Sequence, residues 1–172
     1  MDNDPELDIE RHRTMSSTTD ARAATTSLVV GWDHESASGS ALTFAVDLAR
    51  RLAAHLHVVH IVDIDDLPVD PDSADWEDEI RRTLDSQAHD AVAALRDVDA
   101  GWTYHCAHGD PARLLLSVAH DNDSLMVVVG SPHSGLRSFL ESLGEPSVAH
   151  GLIGRHDMPI LVVPRDTDEA HR

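Results

Sequence analysis

The sequence predicts an α/β domain: an open, mostly parallel sheet of five strands with helices on both faces. Three observations carry that expectation. Short apolar runs recur along the chain, most of them continuous rather than alternating, as strands covered on both faces require. Between them lie stretches whose apolar residues recur every three or four positions, the period of a helix with one buried face. The two patterns alternate, and strand–helix–strand units close into a parallel sheet through right-handed crossovers.

Residues 1–26 are polar, rich in Asp, Thr, Ser and Arg, and hold no sustained period. Such a stretch buries too little apolar surface to offset the entropy of ordering it, so a disordered tail is expected there. Ser27–Asp33 is the first strand. A Ser-rich turn follows, and then Ala41, Leu42, Ala45, Val46, Leu48, Ala49, Leu52 and Ala53 form a helical stripe, with Ser36 or Ser38 as its N-cap. Leu56–Val62 is the second strand. Asp63–Ser73 is acidic, holds Pro68 and Pro71, and reads as a loop. Ile80, Leu84, Ala88, Val92 and Leu95 place a helix within Ala74–Arg96.

Gly101–His108 alternates more and is expected near a sheet edge. Asp110 is positioned to cap the next helix, with Pro111 at its first position and Leu114, Leu115, Val118 and Ala119 as its stripe. Leu125–Gly130 is the clearest buried strand. A long Ser/Pro/Gly loop leads to a helix over Ser147–His156, and Met158–Pro164 is the last strand. The domain therefore runs over 27–165, with a short tail at 166–172.

Composition bounds the function. The chain has 172 residues, within the usual range of roughly 100–200 for one domain. Its 13 basic residues, all Arg, stand against 31 acidic ones, for a net charge of −18. That balance argues against a broad grip on nucleic acid or anionic lipid. It leaves room for one small phosphate held by backbone N–H groups. The acidity answers either to a saline cytoplasm or to GC-rich coding. The single Cys106 excludes an intramolecular disulfide and a multi-cysteine zinc site, and reads as a small buried residue of a reduced, cytoplasmic protein. No apolar run is long enough to span a membrane, and the acidic start lacks the pattern of a secretion signal. Asn122-Asp-Ser124 matches a glycosylation acceptor without that supporting context.

In an open parallel sheet, ligands sit beyond the carboxyl ends of the strands where strand order reverses. Two loops qualify, one after Asp33 and one after Gly130. Asp33 offers a carboxylate to a base or ribose, or is an ordinary loop acid. In the second loop Gly130 lets the backbone approach a ligand closely, and Ser131, Ser134 and Ser147 supply hydroxyls. The helix near Ser147 would add backbone N–H groups, and Arg137 a cation. This is a phosphate cradle or a plain surface loop with ordinary caps.

Over residues 27–164 the chain resembles the universal stress protein family. The resemblance rests on Val29–Ala45, Leu56–Val62, Gly109-Asp-Pro-Ala112, Val127-Val-Val-Gly-Ser131, Ser147-Val148 and Met158–Val163, in that order. It implies a doubly wound sheet like that of the adenine nucleotide alpha hydrolases, the five predicted strands lying in the order 3-2-1-4-5. It implies nucleotide binding by Gly31, Asp33, Ile61, Val129, Gly130, His133, Ser147 and Val148, with ATP and Mg²⁺ as the ligand. It also implies a homodimer through the last strand, Ile160–Val163, and a role in stress response or signalling with slow ATP hydrolysis at most. Many members carry Gly-x2-Gly-x9-Gly-Ser/Thr. Here Gly130 matches the first glycine, His133 stands at the second, and Pro146-Ser147 at the last pair in a loop about three residues longer. The alternative is a dimeric module of the same fold that has lost the nucleotide and acts through protein contacts.

Other chemistry is not signalled. There is no Gly-x-Ser-x-Gly elbow, no Gly-x4-Gly-Lys-Ser/Thr loop, and no lysine to clamp a phosphate. Of the 13 histidines, His55, His57 and His60 lie on the second strand and His105 and His108 on the third. Residues 57 and 60 face opposite ways, as do 105 and 108, so the histidines are expected to be scattered surface or capping groups with no bound metal.

Overall fold

The computed structural model describes residues 12–16, 24–33, 36–62, 75–95, 98, 101–131, 148–153 and 158–164. Among them are six strands and four helices: β1 (His12–Ser16), β2 (Ser27–Trp32), α1 (Ser36–Leu52), β3 (His55–Val62), α2 (Trp76–Leu95), β4 (Trp102–His108), α3 (Pro111–Asp121), β5 (Val127–Gly130), α4 (Val148–Ile153) and β6 (Ile160–Val163). They form one sheet in the order β1-β4-β3-β2-β5-β6. β2 to β6 are parallel and follow the predicted order.

β1 is the difference. It pairs antiparallel with β4, from His12 opposite Ala107 to Ser16 opposite Thr103. The expectation of a structureless tail over 1–26 therefore fails at these five residues, and β4 is not an edge strand. The physical reason is that β4 presents a row of backbone donors and acceptors that gain from being paired. Of the β1 side chains, Met15 packs against the core while Thr14 and Ser16 are exposed. One apolar residue in five is too faint a pattern to read as a strand.

Strand alternation sorts the core into two layers. Leu28, Val30, Leu56, Val58, Val62, Trp102, Tyr104 and Val128 face the side that holds Ala41, Leu42, Ala45 and Ala49 of α1 and Ala88, Ala91 and Leu95 of α2. Val29, Val59, Val127 and Val129 face the other side, against Ala112, Leu115, Leu116, Val118 and Ala119 of α3 and Leu152 of α4. The charged face of α1 stays in solvent, where Arg51 pairs with Asp47 at 2.7 Å.

Helix ends follow backbone chemistry. Ser36 is the first residue of α1, so Ser38 lies inside the helix. At the other end the Ala54 N–H donates to Ala49 O at 2.9 Å and the Ala53 N–H to Arg50 O at 3.4 Å. These are the paired closures of a Schellman turn. The turn needs a left-handed residue, and Ala53 takes it with φ of 51°. A side chain there costs energy that glycine does not incur. Ala53→Gly is expected to raise stability by about 1 kcal/mol. Urea unfolding would show it as a higher midpoint at unchanged slope.

Candidate functional site

The crevice between β2 and β5 is set by where their ladder ends. These strands pair at Val29 with Val127 and Val30 with Val128, whereas β2 runs on to Trp32 and β5 to Gly130. Over the same stretch β2 stays paired to β3 as far as Trp32 opposite His60, and β5 to β6 as far as Gly130 opposite Val163. Each strand follows its outer neighbour, and order reverses between them, which is the topological switch point of this fold class.

The predicted residues fall around that opening. Gly31 lies on the α3 side; a Cβ there would sit 3.5 Å from both Leu115 methyl carbons and 3.7 Å from Val129 Cγ1. The site floor is thus apolar and close, with room for little more than a methyl group. Asp33 is exposed just past β2. Ile61, at the end of β3, is half-buried against the α3-side core, and Val129 is buried in it. Gly130 closes β5, and the following Ser131 is buried, its N–H donating to Val163 O at 2.8 Å. Val148 opens α4 and is 38% exposed. His133 and Ser147, with Pro146, Ser134 and Arg137, lie outside the described residues. Five of the eight predicted residues are therefore brought together: Gly31, Asp33, Ile61, Val129 and Gly130 all stand at the carboxyl end of the central strands.

α3 supplies the wall that sequence reasoning missed. Leu115 meets Gly31, and Ala112 meets α4, where a Cβ on Gly151 would lie only 3.1 Å from the Ala112 Cβ. The helix is fixed at its start by Asp110, whose Oδ1 accepts the Ala112 N–H at 3.0 Å, with Pro111 in the first turn as expected. The spacing of Leu115 marked it as core; only the fold shows that it also floors the crevice.

The histidine expectation is corrected. His55, His57, His60 and His105 are buried, at 3–9% exposure, rather than scattered on the surface. Each has one ring nitrogen paired with a neighbour on the sheet: His55 Nε2 with Thr103 Oγ1 at 2.9 Å, His57 Nδ1 with His105 Nε2 at 3.0 Å, and His60 Nδ1 with Tyr104 OH at 2.7 Å. His60 also meets Trp32 edge-on, with ring centroids 5.2 Å apart. A strand flanked by two others offers such partners, and hydrogen bonding removes most of the cost of burying an imidazole. Among the described residues no group of three His, Cys, Asp or Glu side chains is arranged to hold a metal ion. No described helix is long and apolar enough to cross a membrane.

Fold and site together define a doubly wound α/β domain with its polar opening at the strand carboxyl ends. The model of the universal stress protein family matches residues 25–164, and the chain belongs to that family. Solved structures agree in fold. A universal stress protein from Archaeoglobus fulgidus DSM 4304 is 17% identical over 90% of this chain and 50% of its own, with a TM-score of 0.58. This chain thus spans half the length of that relative. A universal stress protein from Archaeoglobus fulgidus in complex with dAMP is 22% identical over 80% of this chain and 96% of its own, at 0.51. A family protein from Arabidopsis thaliana with AMP bound is 16% identical over 84% of this chain and 94% of its own, at 0.57. No curated protein matches the chain in sequence.

Because the Asp110 cap sets the first turn of α3, Asp110→Ala is expected to lower stability by about 1 kcal/mol, and Asp110→Asn by much less. Chemical denaturation of the two variants checks the order.

Proposed function

We propose that this chain binds an adenine nucleotide, ATP with Mg²⁺, in the crevice between β2 and β5, and acts as a dimeric sensor or signalling protein of the stress response. The observation that carries the reading is the divergence of β2 and β5 beyond Val30 and Val128, with Asp33 on one lip and Gly130 on the other. The residues present suit the nucleoside half of the ligand. Asp33 is exposed at the strand end, where its carboxylate can accept from an adenine amine or a ribose hydroxyl. Ile61, half-buried at the end of β3, would offer an apolar surface to a flat base, while Gly31 and Val129 shape the floor beneath through their packing on Leu115. The dAMP and AMP complexes of similarly folded proteins support an adenine ligand of this class. His133, Ser147 and Val148 would serve the phosphates, whose charge Mg²⁺ offsets when bound.

The second reading, a module that works through protein contacts without a nucleotide, is favoured by His133 and Pro146. An imidazole replaces a position suited to glycine, and proline offers no N–H to a phosphate. Calorimetry separates the two. Mg-ATP or AMP is expected to bind near 1 µM, about −8 kcal/mol. Asp33→Ala should weaken it ten- to a hundredfold, roughly the worth of a hydrogen bond to a charged group. No heat at millimolar ligand, together with no nucleotide released on denaturing the purified protein, supports the second reading.

The dimer is proposed to form through β6, the sheet edge opposite β1. All four of its residues are half-buried, Leu161 and Val163 toward the α1 layer and Ile160 and Val162 toward the α3 layer. An apolar edge left unpaired is a template for another strand. Phe44 on α1, 44% exposed, adds apolar surface from the helix that packs on β6. Light scattering is expected to give twice the 18.7 kDa chain mass, and Val162→Arg to return it to the monomer value. A reduced, cytoplasmic setting is proposed with it, in keeping with the buried Cys106.

A further inference from the structure

Behind the crevice, on the α1–α2 side of the sheet, three rings stand in line. Trp32 ends β2, His60 lies opposite it in register on β3, and Tyr104 comes from β4. All three are buried, at 8%, 3% and 0% exposure. The Trp32 and His60 rings meet edge-on with centroids 5.2 Å apart, and His60 Nδ1 shares a hydrogen bond of 2.7 Å with Tyr104 OH. Tyr104 is the fixed end of the line. It is paired in register with Val58 on one side and Met15 on the other, within the α1–α2 core. An edge-to-face contact and a short hydrogen bond are both directional, so the line fixes orientation as well as distance.

The line acts where β2 has one paired neighbour instead of two. Beyond Val30 and Val128 the ladder to β5 has ended, and Gly31 and Trp32 continue on the ladder to β3. Gly31 has no side chain and Asp33 is exposed, so Trp32 carries the last buried side chain before Asp33. Strand alternation turns the indole away from the face of Gly31, its neighbour along the backbone. An anchor on one face of the strand thus sets the backbone that presents residues at the crevice.

We propose that Trp32, His60 and Tyr104 are positioning residues for the crevice: they lock the end of β2 from the opposite face of the sheet, and so hold the Asp33 carboxylate ready for the ligand. The proposal takes its ligand from the nucleotide reading above and rests on it to that extent. A mobile strand end has to be ordered on binding, and that ordering subtracts from affinity; an end already fixed avoids the loss. The hydrogen bond from the nucleoside to Asp33 gains most, because such bonds weaken steeply with misalignment. Without the Tyr104 hydroxyl, the His60 ring loses a bond that orients it and Trp32 loses a fixed edge to pack on.

The isosteric Tyr104→Phe variant of the full chain tests this, with folding confirmed by circular dichroism. Without ligand, NMR relaxation should show the backbone amides of Gly31, Trp32 and Asp33 more mobile than in the unsubstituted chain, while those of Val29 and Val30 keep their order. With AMP as the probe, calorimetry should show binding weakened about three- to tenfold, roughly the worth of one hydrogen bond. In the Asp33→Ala background the same change should cost about twofold or less, because the rings act through Asp33. A loss of core stability alone does not produce that coupling. Should Tyr104→Phe not fold, Trp32→Phe, which sets a smaller ring against His60, takes its place with the same expectations. The proposal is overturned by unchanged mobility at residues 31–33, by a gain spread evenly along β2, by AMP affinity that the variant leaves intact, or by an equal loss with and without Asp33. If the unsubstituted chain binds no AMP, the nucleotide reading falls, and the relaxation measurement still decides whether the rings hold the strand end.

Discussion

The fold depends on one constraint: its central strands must be covered on both faces at once. β2, β3 and β5 have no solvent side over most of their length, and Val29 and Val30, Val58 and Val59, and Val127 and Val128 are each adjacent pairs with no exposure. Neighbouring residues in a strand point opposite ways, so every such pair commits one side chain to the α1–α2 layer and one to the α3–α4 layer. A shift of pairing by one residue would exchange the two layers, and that cost fixes the register. With few aromatic side chains, this double burial by valine, leucine and alanine supplies the hydrophobic stabilisation.

The crevice is the other side of the same constraint. Strands that must hold neighbours on both sides can diverge only where their ladder ends, and here it ends beyond Val30 and Val128. Gly31 then meets the helix as well as the neighbouring strand, so the floor of the opening is set by Leu115 and Val129. α3 in turn is set by its cap at Asp110 and by its close packing on α4 at Gly151. The lips of the opening are polar and its floor apolar, a division that suits a ligand with a flat base and a charged tail.

Most of the architecture was legible because continuous apolar runs and helical stripes report burial directly. The Asp110-Pro111 start of α3 was legible for a second reason, since cap chemistry is local. β1 was not, because its place rests on backbone pairing and one methionine. The buried histidines were not, because polar side chains on strands are read as exposed unless their partners are known. Those partners, Thr103, Tyr104 and His105, come from β4, about 45 residues further along the chain. The closing turn of α1 escaped notice too, since Ala53 stands where glycine is the usual signal. Of the site, the strand-end residues were legible from topology, while Leu115 and Gly151 needed helix-on-sheet and helix-on-helix distances.

β1 has a consequence for how the chain is made. Its partner β4 lies some 90 residues downstream, from Thr103 to Ala107. As the chain leaves the ribosome, His12–Ser16 emerges early and waits while β2, α1, β3 and α2 are synthesised. Those later elements can assemble among themselves first, since β2 and β3 are joined by one short crossover. β1 is then a late addition to the half of the sheet that β2, β3 and β4 build, and it extends that half rather than starting it.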